Sequence, residues 1–226
     1  PGYRRGRGRV ATGGGGERGV RLFGPRYPEE VAARIPPGQR LVKGWPVLHY
    51  GPIPRFDEAT WDFTVNGLAE NPFTVTYAEL KEIGPVNVQA DMHCVTGWTT
   101  LDNEWEGIPF RTITERARPK AEAGWVITHC DHGYTSNLSL QAMLDDDVLL
   151  AWANRGEQLE PQHGYPLRLV VPKRYAWKSA KWLRGLEFTD ANRRGFWEVR
   201  GYHTHADPWA EERYSYQESK ESETQP

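Results

Sequence analysis

Short segments in which apolar side chains occupy every second position recur through the middle of the sequence. They centre on three triplets: Trp61, Phe63 and Val65; Val86, Val88 and Ala90; and Leu167, Leu169 and Val171. A period of two residues is typical of strands that bury one face. No regular alternation of strands and helices accompanies them, and no glycine-rich phosphate loop follows a strand. We therefore predict an α+β fold of mixed β-structure with short helices.

Two capping patterns predict where short helices begin. Thr76 is followed three residues later by Glu79, and Thr112 in the same way by Glu115. A threonine at the first position of such a pair caps the backbone, while the glutamate reaches back to it. Pro119 is expected to end the second helix, because proline cannot donate a backbone hydrogen bond.

The composition divides the 226 residues into one domain with two flanking segments. Residues 1–19 contain eight glycines and five arginines, which predicts a disordered basic arm. Residues 211–226 are polar and acidic and are predicted to form a tail. The remaining stretch, residues 40–210, is long enough for a single core-forming domain.

Charge, hydropathy and cysteine content exclude several classes of protein. The net charge of −2 gives no overall attraction to nucleic acid or anionic membranes, and no apolar run approaches the roughly 18 residues of a membrane span. Two cysteines do not make a disulfide framework, so we expect a reducing, cytoplasmic location. The Arg4-Arg5 pair is not followed by the apolar segment of an export signal. Removal of an earlier signal would place the protein in the periplasm instead.

The cysteines and histidines allow more than one interpretation. Cys94 lies between a predicted strand and the glycine-containing segment 95–98, where a thiolate would serve as a nucleophile or a soft-metal ligand. A zinc site built from Cys94, Cys130, His132 and one late histidine is the alternative, although no CxxC or HExxH motif supports it. The simplest interpretation of Cys130 is a small buried apolar residue.

Arg168 interrupts an otherwise apolar predicted strand. A buried guanidinium is costly unless it meets a carboxylate, a phosphate or a carbonyl group. Downstream, residues 173–184 interleave lysines and arginines with aromatic residues. That run fits a cationic pocket for a phosphorylated cofactor, and a surface for single-stranded nucleic acid is the alternative.

Four segments, in this order, resemble the sulfite oxidase family of molybdenum-cofactor enzymes. They are 46–52 (PVLHYGP), 91–98 (DMHCVTGW) with 105–107, 133–140 (GYTSNLSL), and 163–172 (HGYPLRLVVP) with 178–182 (KSAKW). The likeness covers about residues 40–214, and the compact bacterial members are the most similar. It implies a single sulfite oxidase-type molybdopterin-binding domain.

The resemblance also implies a set of site residues. Cys94 would be the thiolate ligand of molybdenum, and Tyr134 would be an active-site tyrosine beside the metal. The positions that match the molybdopterin contacts of the family are His49, Tyr50, His129, His163, Arg168, Ser179, Ala180 and Lys181. Lys178 and Lys181 would face the phosphate end of the cofactor.

Departures from the family pattern change the expected reaction. Sulfite oxidases place arginines around the oxyanion, but segments 95–98 and 48–50 contain none, and Gly97 stands where arginine is expected. We therefore expect reduction of an S-oxide or N-oxide, with sulfite oxidation as the alternative. The sequence shows no haem, iron–sulfur or dinucleotide site and no dimerisation domain, so we expect an external electron-transfer partner and a monomer.

Overall fold

The computed structural model describes residues 27–219, so the predicted arm at 1–19 lies outside the described residues. The strands of this part are β1 (Arg40–Leu41), β2 (Asp62–Gly67), β3 (Phe73–Thr76), β4 (Val86–Cys94), β5 (Trp98–Pro109), β6 (Trp125–Cys130), β7 (Thr135–Ser139), β8 (Leu149–Asn154), β9 (Glu157–Gln158), β10 (Arg168–Val170) and β11 (Leu183–Thr189). The α-helices of this part are α1 (Glu29–Ala32), α2 (Tyr77–Lys81), α3 (Phe110–Ala117) and α4 (Leu140–Met143). Mixed strands with short helices confirm the predicted fold class.

The strands form two sheets. In the first, β1, β5, β8 and β10 lie in that order, with β4 paired to β5 and β9 to β8. In the second, the order is β3, β2, β11, β6 and β7. Each sheet mixes orientations, because β1 runs parallel to β5 and β11 runs parallel to β2, whereas the other pairs are antiparallel.

The pleat of the first sheet separates a core face from the face that carries the site. On β8, Leu150 and Trp152 belong to the larger apolar core, which also contains Phe63 and Leu186 of the second sheet. Leu149 and Ala151 lie in a smaller cluster on the opposite face, together with Cys94 and Trp98 of the β4–β5 hairpin. Side chains alternate between the two faces of a strand. Both faces of this sheet therefore carry apolar residues where other parts of the protein pack against them.

One of the two predicted helix starts is confirmed. At α2, the Thr76 backbone N–H donates to Glu79 Oε2 at 2.8 Å, and the Glu79 N–H donates back to Thr76 Oγ1 at 3.3 Å. The prediction for Thr112 is wrong, because α3 begins at Phe110 directly after Pro109. Phe110 is fully buried, so tertiary packing starts that helix two residues before the capping pattern.

The segment from Glu211 to residue 219 differs from the predicted polar tail, because it contacts the domain. Arg213 donates to the Val95 carbonyl beside Cys94, and Tyr214 forms a β-bridge with Tyr202. Further along, the almost fully buried carboxylate of Glu218 pairs with Arg194. These polar side chains are therefore part of the folded unit. Within residues 27–219, no helix has the length and apolar character needed to span a membrane.

Candidate active site

A cavity of about 360 Å³ opens beside the end of the β4–β5 hairpin. Its volume lies within the range of small-molecule and cofactor sites. Five stretches of chain contribute its walls: the loop at 45–50, the hairpin end at 92–98, the turn at 131–134, the segment at 163–182 and the segment at 196–202. These include residues of all four segments that carry the resemblance, brought together from distant positions in the sequence.

Cys94 is the last residue of β4, and its side chain lines the cavity. Residues 95–97 form the turn to β5, in which Gly97 has a φ of +88° that favours glycine. The Gly97 N–H donates to the Cys94 carbonyl at 2.9 Å, and the side chain of Gln39 donates to the same oxygen at 3.1 Å. The Cys94 sulfur lies 3.2 Å from the hydroxyl of Thr96. The thiol is therefore held at a fixed place on the cavity wall.

Arg168, which is buried, and Lys181, which is partly buried, form a cationic side of the cavity. The Arg168 guanidinium donates to the carbonyls of His163 at 2.9 Å and Ser179 at 3.0 Å, and no carboxylate of residues 27–219 forms an ion pair with it. Burial lowers its pKa to about 10. The Lys181 ammonium donates to the carbonyls of Leu48 and Gln162 at 2.8 and 2.9 Å. Burial and, secondarily, the charge of Arg168 lower the Lys181 pKa to about 7. Both groups thus remain available to an anionic ligand.

Gly164 makes this cationic arrangement possible. Its φ of +114° disfavours any side chain, and an added Cβ would lie 3.0 Å from Cβ of Arg168 and 3.1 Å from Cγ of Lys181. Ser179 and Ala180 connect the two cations and line the same wall. The Ser179 hydroxyl accepts from the Val171 N–H at 2.9 Å, which leaves its own proton to donate.

Three of the predicted cofactor contacts lie around the opening of the cavity. His49 and Tyr50 are exposed, and His49 sets its ring edge against Trp182 with 5.4 Å between the ring centroids. His163 also lines the cavity, and its Nε2 is buried without a hydrogen-bond partner among the described residues. Burial and, to a lesser extent, Arg168 lower its pKa. A neutral His163 therefore presents an unused polar nitrogen at the cavity.

Two residues assigned to the cofactor from the sequence lie elsewhere. His129, on β6, is half exposed and bonds to Glu187 at 2.9 Å, whereas His132 in the following turn lines the cavity. The structure therefore brings His132, and not His129, to the cavity. Lys178 is fully buried behind the wall, where its ammonium lies 2.6 Å from the Glu198 carboxylate. Its charge is already neutralised there, so it does not face a phosphate.

An aromatic wall, missed in the sequence, forms part of the cavity lining. It is made of Tyr134, Trp177, Phe196, Trp197 and Tyr202. Successive ring centroids lie 5.1 to 5.5 Å apart in the order Tyr134, Phe196, Trp197, Tyr202 and Trp177. The sequence feature that could have indicated this wall is the high density of aromatic residues at 196–202. The neighbouring residues in the sequence, however, do not indicate which cavity these aromatic side chains line.

Tyr134 is the polar group of the aromatic wall. Its hydroxyl donates to the Trp177 carbonyl at 2.7 Å. Burial raises its pKa well above the usual value, and the nearby carboxylate of Glu198 adds to the shift. The hydroxyl therefore keeps its proton at neutral pH.

The structure does not bring the proposed zinc ligands together. Within residues 27–219, no group of three or more His, Cys, Asp or Glu side chains is arranged to hold a metal ion. Cys130 lies in the larger apolar core, where burial raises the pKa of its thiol. His203 is buried and accepts from two backbone N–H groups, those of His205 and Ala206. The zinc alternative therefore has no ligand set in this part of the chain.

A thiol facing buried cations across a cavity defines a site for a soft metal carried by an anionic organic cofactor. The chain belongs to the oxidoreductase molybdopterin-binding domain family, whose family model matches residues 50–197. The protein is therefore a molybdopterin-dependent oxidoreductase, and its cofactor is molybdenum-molybdopterin.

Three comparisons place the chain more closely. It is 44% identical over 195 residues to the uncharacterized oxidoreductase YuiH of Bacillus subtilis, covering 86% of this chain and 98% of that protein. It is 27% identical over 160 residues to the protein-methionine-sulfoxide reductase catalytic subunit MsrP of Campylobacter jejuni, covering 63% of this chain and 54% of the relative. Its fold is similar to the sulfane dehydrogenase SoxCD of Paracoccus pantotrophus, with a TM-score of 0.60, 20% identity, and 83% and 58% of the two chains covered.

The residues of the cavity fit this cofactor. Two residues that line it, His163 and Trp98, each have a buried ring nitrogen, Nε2 and Nε1 respectively, with no hydrogen-bond partner among the described residues. The two cations there are held by neutral carbonyls rather than by carboxylates. Unused donors and unneutralised cations are what a phosphorylated, polar ring system requires.

Proposed function

We propose that this protein reduces a neutral S-oxide or N-oxide, taking the oxygen atom from the substrate and releasing it as water. The balanced reaction for an S-oxide consumes two electrons and two protons and yields the sulfide and water. Bound molybdenum-molybdopterin supplies the two-electron oxygen-atom exchange. The relative MsrP, by its name, acts on methionine sulfoxide, which belongs to this substrate class.

The proposal assigns a task to each group of residues. Cys94 holds the metal through its thiolate, which suits a soft ligand site. Arg168, Lys181, Ser179 and Ala180 hold the anionic and polar parts of the pterin, and His163, His49 and Tyr50 complete its contacts. His132, which lies in the turn after β6 and lines the cavity, is a further candidate contact.

The distribution of charge around the cavity is the observation that favours reduction of a neutral substrate over oxidation of sulfite. Among its lining residues in the described chain, the only lysine or arginine side chains are Arg168 and Lys181, both on the cofactor side. Arg111 does not line the cavity; its side chain is half exposed and pairs with Asp146. A sulfite dianion would thus lack charge partners, because oxyanions in a low-dielectric site require cations or oriented donors.

The aromatic wall is suited to a neutral substrate. It excludes water and offers dispersion contacts to the organic groups of an S-oxide. Tyr134 holds a proton on its hydroxyl, which donates to the Trp177 carbonyl in this structure and would donate to the oxygen being transferred by turning from that carbonyl. Since its pKa is raised, the donor remains protonated at neutral pH.

Steady-state assays of both reactions on one molybdenum-replete preparation test the proposal. We expect reduction of a neutral sulfoxide with an artificial donor to exceed sulfite oxidation with an artificial acceptor. Efficient sulfite turnover without reduction of S-oxides or N-oxides would establish the alternative function instead.

A variant of the wall tests where the substrate binds. Trp197→Leu removes one aromatic ring and should raise KM for an aryl sulfoxide about ten-fold. Trp209→Leu is the matched control, because it makes the same replacement at a half-exposed tryptophan that does not line the cavity. Equal KM values for both variants would place the substrate elsewhere.

We further propose an external electron-transfer partner and a monomeric, cytoplasmic enzyme. The proposed reaction consumes two electrons, and within residues 27–219 no group of three or more His, Cys, Asp or Glu side chains could hold a further metal to supply them. Light scattering of the purified protein tests the monomer, and fractionation of the producing cells tests the location. A dimer, or recovery outside the cytoplasm, would contradict the corresponding part.

A further inference from the structure

Thr96 is the one residue of the described chain whose side chain is hydrogen bonded to the Cys94 sulfur. Its Oγ1 lies 3.2 Å from Sγ, within the distance of a hydrogen bond that involves sulfur. Both residues line the cavity. In a free thiol either atom can be the donor, so the contact by itself does not fix the direction of the bond.

Metal binding would fix that direction. A cysteine that binds a metal does so as the thiolate, which has lost its proton and can only accept. The Thr96 hydroxyl must then donate to the sulfur. Hydrogen bonds to ligating sulfurs are among the features by which a protein sets the reduction potential of a metal centre.

Hydrogen bonds from other parts of the chain fix the turn that carries Thr96. The Gly97 carbonyl accepts from the Arg40 N–H at 3.1 Å, and the Val95 carbonyl accepts from the side chain of Arg213. The residues on either side of Thr96 are therefore both hydrogen bonded to residues that are distant in the sequence. The hydroxyl is held near the sulfur before any cofactor binds, so the bond does not depend on a later rearrangement.

We propose that Thr96 is a positioning residue that donates a hydrogen bond to the metal-bound thiolate of Cys94 and raises the reduction potential of the molybdenum centre. The bond withdraws electron density from the sulfur, which makes the thiolate a weaker donor to the metal. A weaker donor favours the reduced state of the metal, which the proposed reduction of S-oxides starts from. The inference rests on the proposed role of Cys94 as the ligand.

Redox titration of the molybdenum-loaded protein, followed by electron paramagnetic resonance, tests this inference. Thr96→Val keeps the shape and removes the donor, whereas Thr96→Ser keeps the donor. We expect the valine variant to retain molybdenum, to shift the potential to more negative values and to change the resonance signal. The serine variant should remain close to wild type.

The control variant is Thr74→Val, which removes a hydroxyl that bonds only to Thr64 on the second sheet. It should leave the potential unchanged. Equal potentials for wild type and Thr96→Val, or an equal shift in Thr96→Ser, would overturn the role of Thr96 while leaving the ligand assignment intact. A wild-type protein that binds no molybdenum, or a Cys94→Ser variant with unchanged metal content, would overturn the proposed function itself.

Discussion

Replacing Lys178 by methionine should destabilise the protein strongly and loosen the substrate side of the site. The Lys178 ammonium is fully buried, lies 2.6 Å from Glu198 Oε1 and donates to both the carbonyl and the side-chain oxygen of Asn137. Glu198 Oε1 also accepts from Trp177 Nε1 at 2.9 Å, while its Oε2 has no hydrogen-bond partner in the described chain. The pair thus joins the segment that holds the cofactor to the one that carries the aromatic wall.

The magnitude follows from leaving one charge buried alone. Removing one partner of a buried ion pair typically costs about 3–5 kcal/mol. In a protein of this size, each kcal/mol lowers the melting temperature by about 2–4 °C, so Lys178→Met should melt about 6–20 °C below wild type. The same variant should raise KM for the sulfoxide, because Glu198 sits between Trp197 and Tyr202 in the chain.

Thermal unfolding of the cofactor-loaded protein by circular dichroism measures the effect. The double variant Lys178→Met/Glu198→Gln removes both charges and keeps a hydrogen-bond acceptor for Trp177. We expect it to be more stable than Lys178→Met alone, with a coupling energy of at least about 1 kcal/mol. Single variants whose effects simply add, or a Lys178→Met protein as stable as wild type, would refute the argument that the pair is energetically coupled.

Three further predictions concern the cationic side of the cavity. Arg168→Ala and Lys181→Ala should each weaken cofactor retention about ten- to hundred-fold, measured as pterin remaining after dialysis, and full occupancy in both would refute the assignment. Lys181 is protonated below its native pKa of about 7 and below about 10.4 in the unfolded chain, so between these values the unfolded state binds more protons. The stability of cofactor-free protein should therefore gain a component that rises from about pH 7 to about pH 10 and that is missing in Lys181→Met; identical pH profiles in urea denaturation would contradict this. Gly164→Ala should cost about 1–3 kcal/mol and release pterin more readily, because its φ of +114° and the 3.0 Å approach to Arg168 leave no room for a methyl group; an unchanged melting temperature would show that the loop adjusts.

The strands and one helix start were predictable because their signals are local. Alternation at 61–65 identified β2, and the capping box of Thr76 identified α2. The start of α3 was not predictable from Thr112, because the burial of Phe110 outweighs the local cap. Strand pairing also depends on contacts distant in sequence, so the order of the two sheets could not be derived from periodicity.

The same distinction, between local sequence signals and contacts distant in sequence, applies to the residues of the site. Cys94 and the segment around Arg168 could be identified, because their motifs are continuous in sequence and resemble a known family. The sequence does not show which way His129 points, because side chains alternate across a strand; on β6 it contacts Glu187 of β11 and does not line the cavity. The environment of Lys178 depends on Glu198, twenty residues later and on another segment. No spacing rule anticipates that pairing, nor the aromatic wall that comes with it.

Metal and pterin analysis of the purified wild-type, Cys94→Ser and Cys130→Ser proteins tests the central claim most directly. We predict stoichiometric molybdenum and pterin in the wild type, loss of molybdenum and of activity in a folded Cys94→Ser protein, and retained molybdenum in Cys130→Ser. The reason is that Cys94 faces the cavity and a hydroxyl is a harder, weaker ligand, whereas Cys130 is buried in the apolar core. Zinc without molybdenum in the wild type, or loss of the metal in Cys130→Ser but not in Cys94→Ser, would contradict the account.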